Sequence, residues 1–484
     1  MKTWFGSGEV QMTSILTGLV LYLFFMLVVG VLTWRLNEST ADYYIGGRKL
    51  GPWLVSFSER TSAESAWLLL GLPGAALAVG LVEVWTALGC VAGIIFSWYI
   101  IAERLRVETE HYQAITLPEY LAVRYGEYAR LIRSLAMLIV IFFFSFYLAA
   151  QMNGAGKVLN VTFDIPHLWG MIIGASVIIC YTMMGGLLAV VWTDLVQGIL
   201  MIATLVVLPV VALFEIWGQG LSMSDAVINA PAAISSLTAG KSGWAGMAAV
   251  IGGLSWGLGY MGQPHLLTKF MAIRTPREIR TGRRIAIAWA IPAFSGAMLI
   301  GLAALTLHGV SFYGDREQVM PALVTELFPG WLAGILISGA IAAMMSTADS
   351  QLLVISSAII EDFYRKTLKR DLSDRAMVAF SRVITLTVGV AGILLAVYSD
   401  KLIFAMVSYA WSGLGSSFGP AILLTLLWKR TSGPGIIAGM LTGTLTTIIW
   451  SSFTTLDAIV TSRLTSFVFA LVAIILISLA SSKK

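Results

Sequence analysis

Apolar runs of about 20 residues recur from Thr13 to the C-terminus, separated by short polar connections, and nothing constrains this chain more. A run of that length crosses a hydrocarbon core of about 30 Å as an α-helix, and inside lipid only helices and closed barrels satisfy every backbone group. Spans are predicted over 13–34, 51–75, 81–103, 134–156, 166–185, 190–214, 244–268, 285–308, 331–360, 383–399, 403–428, 433–452 and 462–481. The fold class is therefore all-α, a single polytopic membrane domain over 1–484 with about thirteen transmembrane helices. Composition agrees: 58% of the 484 residues are hydrophobic and 12% charged, against about 45–50% and about 25% in soluble domains. The first run is too long for a signal-peptide core and reads as a retained span.

The formal charge of +5 would by itself suggest nucleic acid, but its placement argues otherwise. Basic residues crowd alternate connections. One holds Arg35, Arg48 and Lys49, the next Arg104 to Arg133, the next Lys269 to Arg284, and later ones Arg365 to Arg382, Lys429 with Arg430, and Lys483 with Lys484. The positive-inside rule then places the N-terminus outside and the C-terminus in the cytoplasm of a cell membrane. The bilayer is the expected partner, with no nucleic acid and no obligate protein partner. Cys90 and Cys180 both lie in apolar runs, which excludes a disulfide framework or a thiolate metal site. The four histidines form no HExxH pair, and no nucleophile–base arrangement is visible, so no enzyme is expected.

A scaffold would keep its helices whole, because an unsatisfied backbone group in lipid costs on the order of several kcal/mol. Two runs depart from that. GPWLVSFSERTSAESAWLLLGLPG from Gly51 is polar at every position from Glu59 to Ser65 except Ala63. AAVIGGLSWGLGYMGQPHLL from Ala248 carries Gly252, Gly253, Gly257, Gly259 and Gly262 ahead of Pro264. Glycine costs about 1 kcal/mol and proline about 3 within a helix, so both runs are expected to open. Interrupted helices at matching places in two halves point to a secondary transporter built from inverted repeats. Residues 51–215 and 244–430 would be the five-helix repeats, with 1–50 and 431–484 peripheral.

An opened helix explains a carboxylate at Glu64, beside Glu59 and Arg60, if the break borders a protein-lined, water-accessible cavity. An internal Arg60–Glu64 pair at i, i+4 is the structural alternative. The stretch Ala342-Ala-Met-Met-Ser-Thr-Ala-Asp349-Ser350 sets hydroxyls and a carboxylate among small residues. Ser346 and Thr347, together with carbonyls freed in the second span, would suit an alkali cation. The same hydroxyls would also serve by bonding to the preceding helical turn. Asp194 is another charge at membrane depth, and it would share a cation with Asp349 or act structurally. Tyr147, Trp256 and Tyr260 accompany the breaks and would cover an apolar solute or a cationic amine.

Gly257-Leu-Gly-Tyr-Met-Gly262 matches GxGxxG but lacks the strand before it that a dinucleotide site needs. Gly170/Gly174, Gly435/Gly439 and Gly439/Gly443 have the spacing of close helix packing.

The stretches DYYIGGRKLGP at Asp42, SAWLLLGLPGA at Ser65, LRVETE at Leu105, GGLLAVVWTD at Gly185, WGLGYMGQPH at Trp256, AAMMSTADSQLL at Ala342 and SYAWSGLGSSFGP at Ser408 resemble the sodium/solute symporters, most of all their bacterial sodium/proline members. The resemblance implies a LeuT-like 5+5 inverted-repeat core, alternating access and sodium-driven import of L-proline. It implies a sodium site of the Thr61, Glu64 and Ala343 carbonyls with the Ser346 and Thr347 side chains, and a substrate region of Ser65, Trp67, Tyr147, Trp256, Tyr260 and Pro264. The second sodium site of some relatives maps to Asp194, Ser346, Asp349 and Ser350. Where those proline symporters carry an aspartate, this chain has Ala63, followed by Glu64. Two coupling ions therefore stay open: sodium, with Glu64 as a shifted carboxylate, or a proton carried by Glu64. The rival readings are a symporter for another amino acid, a monocarboxylate or a sugar, and a membrane sensor that binds solute without moving it.

Overall fold

The computed structural model describes residues 8–33, 44–309, 314–369, 373–399 and 402–481. Arg35, Asp42, Arg370, Lys483 and Lys484 lie outside them. Every element among the described residues is helical, apart from one isolated bridge between Leu50 and Ile273. Ten of the helices are long and apolar enough to cross a membrane, and His167–Cys180 is a shorter apolar one.

The helices that matter for function are α1 (Gly8–Thr33), α2 (Pro52–Ala66), α3 (Leu72–Val79), α4 (Val84–Phe96), α5 (Ala102–His111), α6 (Ala129–Phe163) and α7 (His167–Gly218). They continue with α8 (Gly243–Leu254), α9 (Pro264–Ala272), α10 (Ile279–His308), α11 (Gly330–Ser357), α12 (Asp374–Val397), α13 (Ile403–Leu427), α14 (Gly433–Ser452) and α15 (Ser462–Ser481).

One continuous helical stretch, Pro52–His111, makes two opposite passes. Its start and its end return to the same place: the Leu50 carbonyl accepts the Arg274 N–H at 2.8 Å, and Arg106 Nε donates to the Ile273 carbonyl at 2.6 Å. The reversal is at Gly80, where φ is +66° and a Cβ would lie 2.0 Å from the Ile234 carbonyl oxygen, so only glycine fits. A second glycine, Gly186 at φ +57°, interrupts α7 between the two runs expected there.

Burial separates core from periphery. The stretch Gly330–Thr367, which contains α11, is 83% buried over its apolar window and α13 78%, whereas α1 is 22%, α12 28%, and α14 and α15 33% each. Leu16, Val20, Leu21 and Phe24 of α1 are exposed, as expected where the outer neighbour is lipid. At the centre, α11 packs against α2, α6 and α7, and from Ser58 to Ala66 every residue of α2 is buried. A buried polar stretch must find partners inside the protein. Those partners make the site.

Candidate cation and solute site

The second span breaks at one residue. Ser65 sits at φ 27°, ψ −167°, a conformation that costs about 1–3 kcal/mol and persists only where the surroundings hold it. Here they do. Gln151 of α6 accepts the Ala66 N–H at 3.1 Å, the Trp67 N–H reaches Ser65 Oγ at 3.3 Å, and the Trp67 indole donates to the Ala63 carbonyl at 3.3 Å. A five-residue π turn, Trp67–Gly71, leads into α3. The seventh span opens as expected: α8 ends at Leu254, a short turn covers Trp256–Gly259, and Pro264 begins α9. A Cβ on Gly259 would lie 1.8 Å from Trp411 Nε1, and one on Gly262 would lie 2.4 Å from the Gly419 nitrogen. Gly259 and Gly262 thus let the chain approach α13, Gly257 lets it approach Gly89 of α4, and no phosphate is needed to explain the GxGxxG stretch.

Where α2 ends, its last carbonyls face α11. Ser346 Oγ lies 3.3 Å from the Thr61 carbonyl and 3.1 Å from that of Ala343, and Thr347 Oγ1 lies 3.0 Å from the carbonyls of both Ser62 and Ala343. Four of the five residues expected for sodium therefore converge, joined by the Ser62 carbonyl. The donors are neutral oxygens at a helix C-terminus, a set that suits a hard monovalent cation. Each hydroxyl also bonds back to its own helix, so the capping alternative and the cation set use the same atoms.

Glu64 is engaged differently. Its carboxylate accepts from Arg60 Nη1 at 2.7 Å and from the Tyr260 hydroxyl at 3.0 and 3.1 Å, and its carbonyl accepts the Trp67 N–H. The Arg60–Glu64 pair weighed from the sequence is therefore present. Arg60 is shared, because Nε also donates to Glu59 at 2.6 Å, and Trp98 donates to the same carboxylate at 3.1 Å. One guanidinium thus faces two carboxylates, all three side chains being 1% exposed or less.

Two of the four residues mapped to a second sodium site, Asp194 and Ser350, face a cation of the chain's own. Lys269 Nζ lies 3.2 Å from Asp194 Oδ2, 2.6 Å from Ser58 Oγ and 3.1 Å from Ser350 Oγ, while Ser58 donates to Asp194 at 2.5 Å. The cation facing Asp194 is thus the ammonium of Lys269. This corrects the assignment of Lys269 to a basic connection: it is 1% exposed, because α9 turns it inward. Arg106, placed in another connection, is likewise buried and binds the Ile273 and Arg274 carbonyls. Asp349 is buried on α11 beside Ser350.

Five of the six residues expected around solute gather in one aromatic group. Trp67 stacks on Trp256 at 4.8 Å, and the Tyr147 hydroxyl reaches Ser65 Oγ at 3.4 Å. Tyr260 meets Trp411 edge-on at 4.9 Å, and Trp411 donates to the Trp256 carbonyl at 3.1 Å. Pro264 instead lines a separate cavity of about 20 Å³ with His265, Lys269 and Ser350. The residues that sequence reasoning missed are Trp411, Gln151 and Lys269. Gln151 carried a usable signal, since it and Asn153 are the amides of an otherwise mostly apolar run.

A profile of the sodium:solute symporter family matches residues 43–443. The chain belongs to that family. Similar relatives include the sodium/proline symporter of Escherichia coli (strain K12), 36% identical over 479 residues that cover 96% of this chain and 93% of that protein. The high-affinity proline transporter PutP of Bacillus subtilis (strain 168) is 38% identical over 435 residues, 88% and 90% of the two chains. The fold matches a solved Na+-coupled sialic acid symporter in a substrate-bound outward-open state, with a TM-score of 0.79 at 18% identity over 96% of this chain and 97% of that one. This sodium:solute symporter is thus a multi-pass membrane transporter of LeuT-like fold and not an enzyme.

Proposed function

We propose that this symporter imports L-proline, drawn by the sodium gradient through alternating access. The observation that carries the reading is adjacency. The oxygen cluster of Thr61, Ser62, Ala343, Ser346 and Thr347 lies on one side of the Ser65 break, and the Trp67–Trp256 stack begins two residues beyond it on the other. Sodium held by the cluster draws the end of α2 onto α11 and fixes the chain that carries Trp67, so solute binds more tightly when sodium is bound. The relatives that carry proline by name support the choice of solute.

Thirteen crossings, five-helix repeats over 51–215 and 244–430, an outside N-terminus and a cytoplasmic C-terminus in a bacterial inner membrane complete the reading. Trp67 and Trp256 are in contact, so solute reaches the pocket only when these rings part. One cation is enough to drive accumulation. A potential of 100 mV supplies about 2.3 kcal/mol per charge and a tenfold sodium gradient about 1.4. Their sum of roughly 3.7 kcal/mol sustains roughly 500-fold accumulation of a neutral zwitterion.

A second reading, proton coupling through Glu64, is favoured by Arg60 facing two carboxylates, since a proton on Glu64 would balance the group. Vesicles containing the purified protein discriminate the two. An inward sodium gradient should drive uptake of labelled proline that excess unlabelled proline abolishes. Uptake driven by a proton gradient without sodium would replace sodium in the mechanism, and no uptake under either gradient would reject proline.

A further inference from the structure

Beyond the pocket lies a cavity of about 330 Å³, lined in part by Val79, Val82, Glu83 and Thr86, next to the reversal at Gly80. Trp256 and Phe404 line it on the apolar side, and Glu83, Lys241, Asp457 and Arg463 bring charge to it. Trp256 therefore stands between this cavity and Trp67: its indole stacks on Trp67, and the Arg463 guanidinium lies over the ring, 4.6 Å from its centroid.

The charges are arranged unusually. Arg463 donates to the Gly252 carbonyl at 3.0 Å, to Ser255 Oγ at 3.3 Å and to Ser408 Oγ, all neutral oxygens. Three of its five N–H donors are engaged, and two remain. Glu83 bonds to Thr86, yet its Oε2 is buried without a hydrogen-bond partner. Asp457 and Glu83 lie within electrostatic reach of Arg463, yet the guanidinium hydrogen-bonds only to neutral oxygens and one Glu83 oxygen has no donor, so beside this cavity neither charge is fully met, which a buried group does not tolerate cheaply.

We propose that this vestibule is a first binding site for a small zwitterion, with the solute carboxylate on Arg463 and its amine on Glu83, before the Trp67–Trp256 stack parts. The site rests on the reading of the protein as an amino-acid symporter. It adds a filter in front of the pocket, because a solute lacking either charge leaves one protein group unsatisfied. A guanidinium is suited to a carboxylate by its planar fork of donors.

The test uses the full-length protein in vesicles under a sodium gradient, with labelled L-proline as solute and prolinamide, which has no carboxylate, as competitor. Arg463→Gln should raise the KM for proline roughly tenfold while the maximal rate stays within about twofold, the pattern of lost binding that the ground and transition states share. The preference for proline over prolinamide should shrink by a similar factor, and Arg463→Lys should restore part of it. Glu83→Gln should raise KM without changing that preference, and it carries the test alone if Arg463→Gln does not fold. A lower maximal rate with unchanged KM and preference would make Arg463 a mere tie between α15, α8 and α13, and would overturn the site. Wild-type protein that takes up no proline would refute the proline assignment itself, and with it the ligand named here.

Discussion

Lys269 Nζ lies 3.2 Å from Asp194 Oδ2, and neither side chain is more than 1% exposed. The pair links α9, the continuation of the broken seventh span, to α7, and through Ser58 and Ser350 it touches α2 and α11. Removing one partner of such a pair strands a buried charge, at about 3–5 kcal/mol. Lys269→Met should therefore destabilise the protein by about that amount in a denaturant titration, and Lys269→Met with Asp194→Asn should recover most of it. By reaching Asp194 and Ser350, the ammonium should keep a second sodium ion out, so sodium activation of wild-type uptake should follow a single-site curve. A sigmoidal curve would contradict that.

Glu64→Gln separates the two coupling schemes. Arg60 keeps its bonds to Glu59 in the variant, so the local fold should survive. Under sodium coupling, sodium-driven accumulation persists at a reduced rate. Under proton coupling through Glu64, the gradient no longer drives accumulation, and only downhill exchange of labelled proline remains.

Trp67→Ala removes a stacked partner of Trp256 at the junction of pocket and vestibule. Parting the stack costs about 0.5–1.5 kcal/mol, which Trp67→Ala removes, but it also removes the ring that would cover the solute, worth about 1.5–3 kcal/mol, so the KM for proline should rise, with Trp67→Phe between that and wild type. Uptake kinetics of the two variants check the order.

The breaks were legible because their residues are wrong for lipid. The polar run from Glu59 to Ser65 and the glycines ahead of Pro264 both demand another environment, and the structure interrupts the chain at Ser65 and between Leu254 and Pro264. Ser346 and Thr347 stood out for the same reason. Lys269 was hidden, because a lysine just past an apolar run looks like any cytoplasmic anchor until the direction of α9 is known. Trp411 was hidden among many aromatics, and its contact with Gly259 links positions far apart in the chain. Arg463 was not singled out, since the role proposed for it depends on a cavity shared by four separate stretches.

The central claim is that an ion on the Thr61–Ser346–Thr347 oxygens organises the solute pocket, and linkage tests it directly. Labelled proline binding to the purified protein is measured at equilibrium in sodium and in choline, with sodium binding measured with and without proline. Each ligand should tighten the other by the same factor, and Ser346→Ala and Thr347→Ala should each weaken sodium roughly tenfold or more. Proline affinity that is identical in sodium and choline would contradict the account.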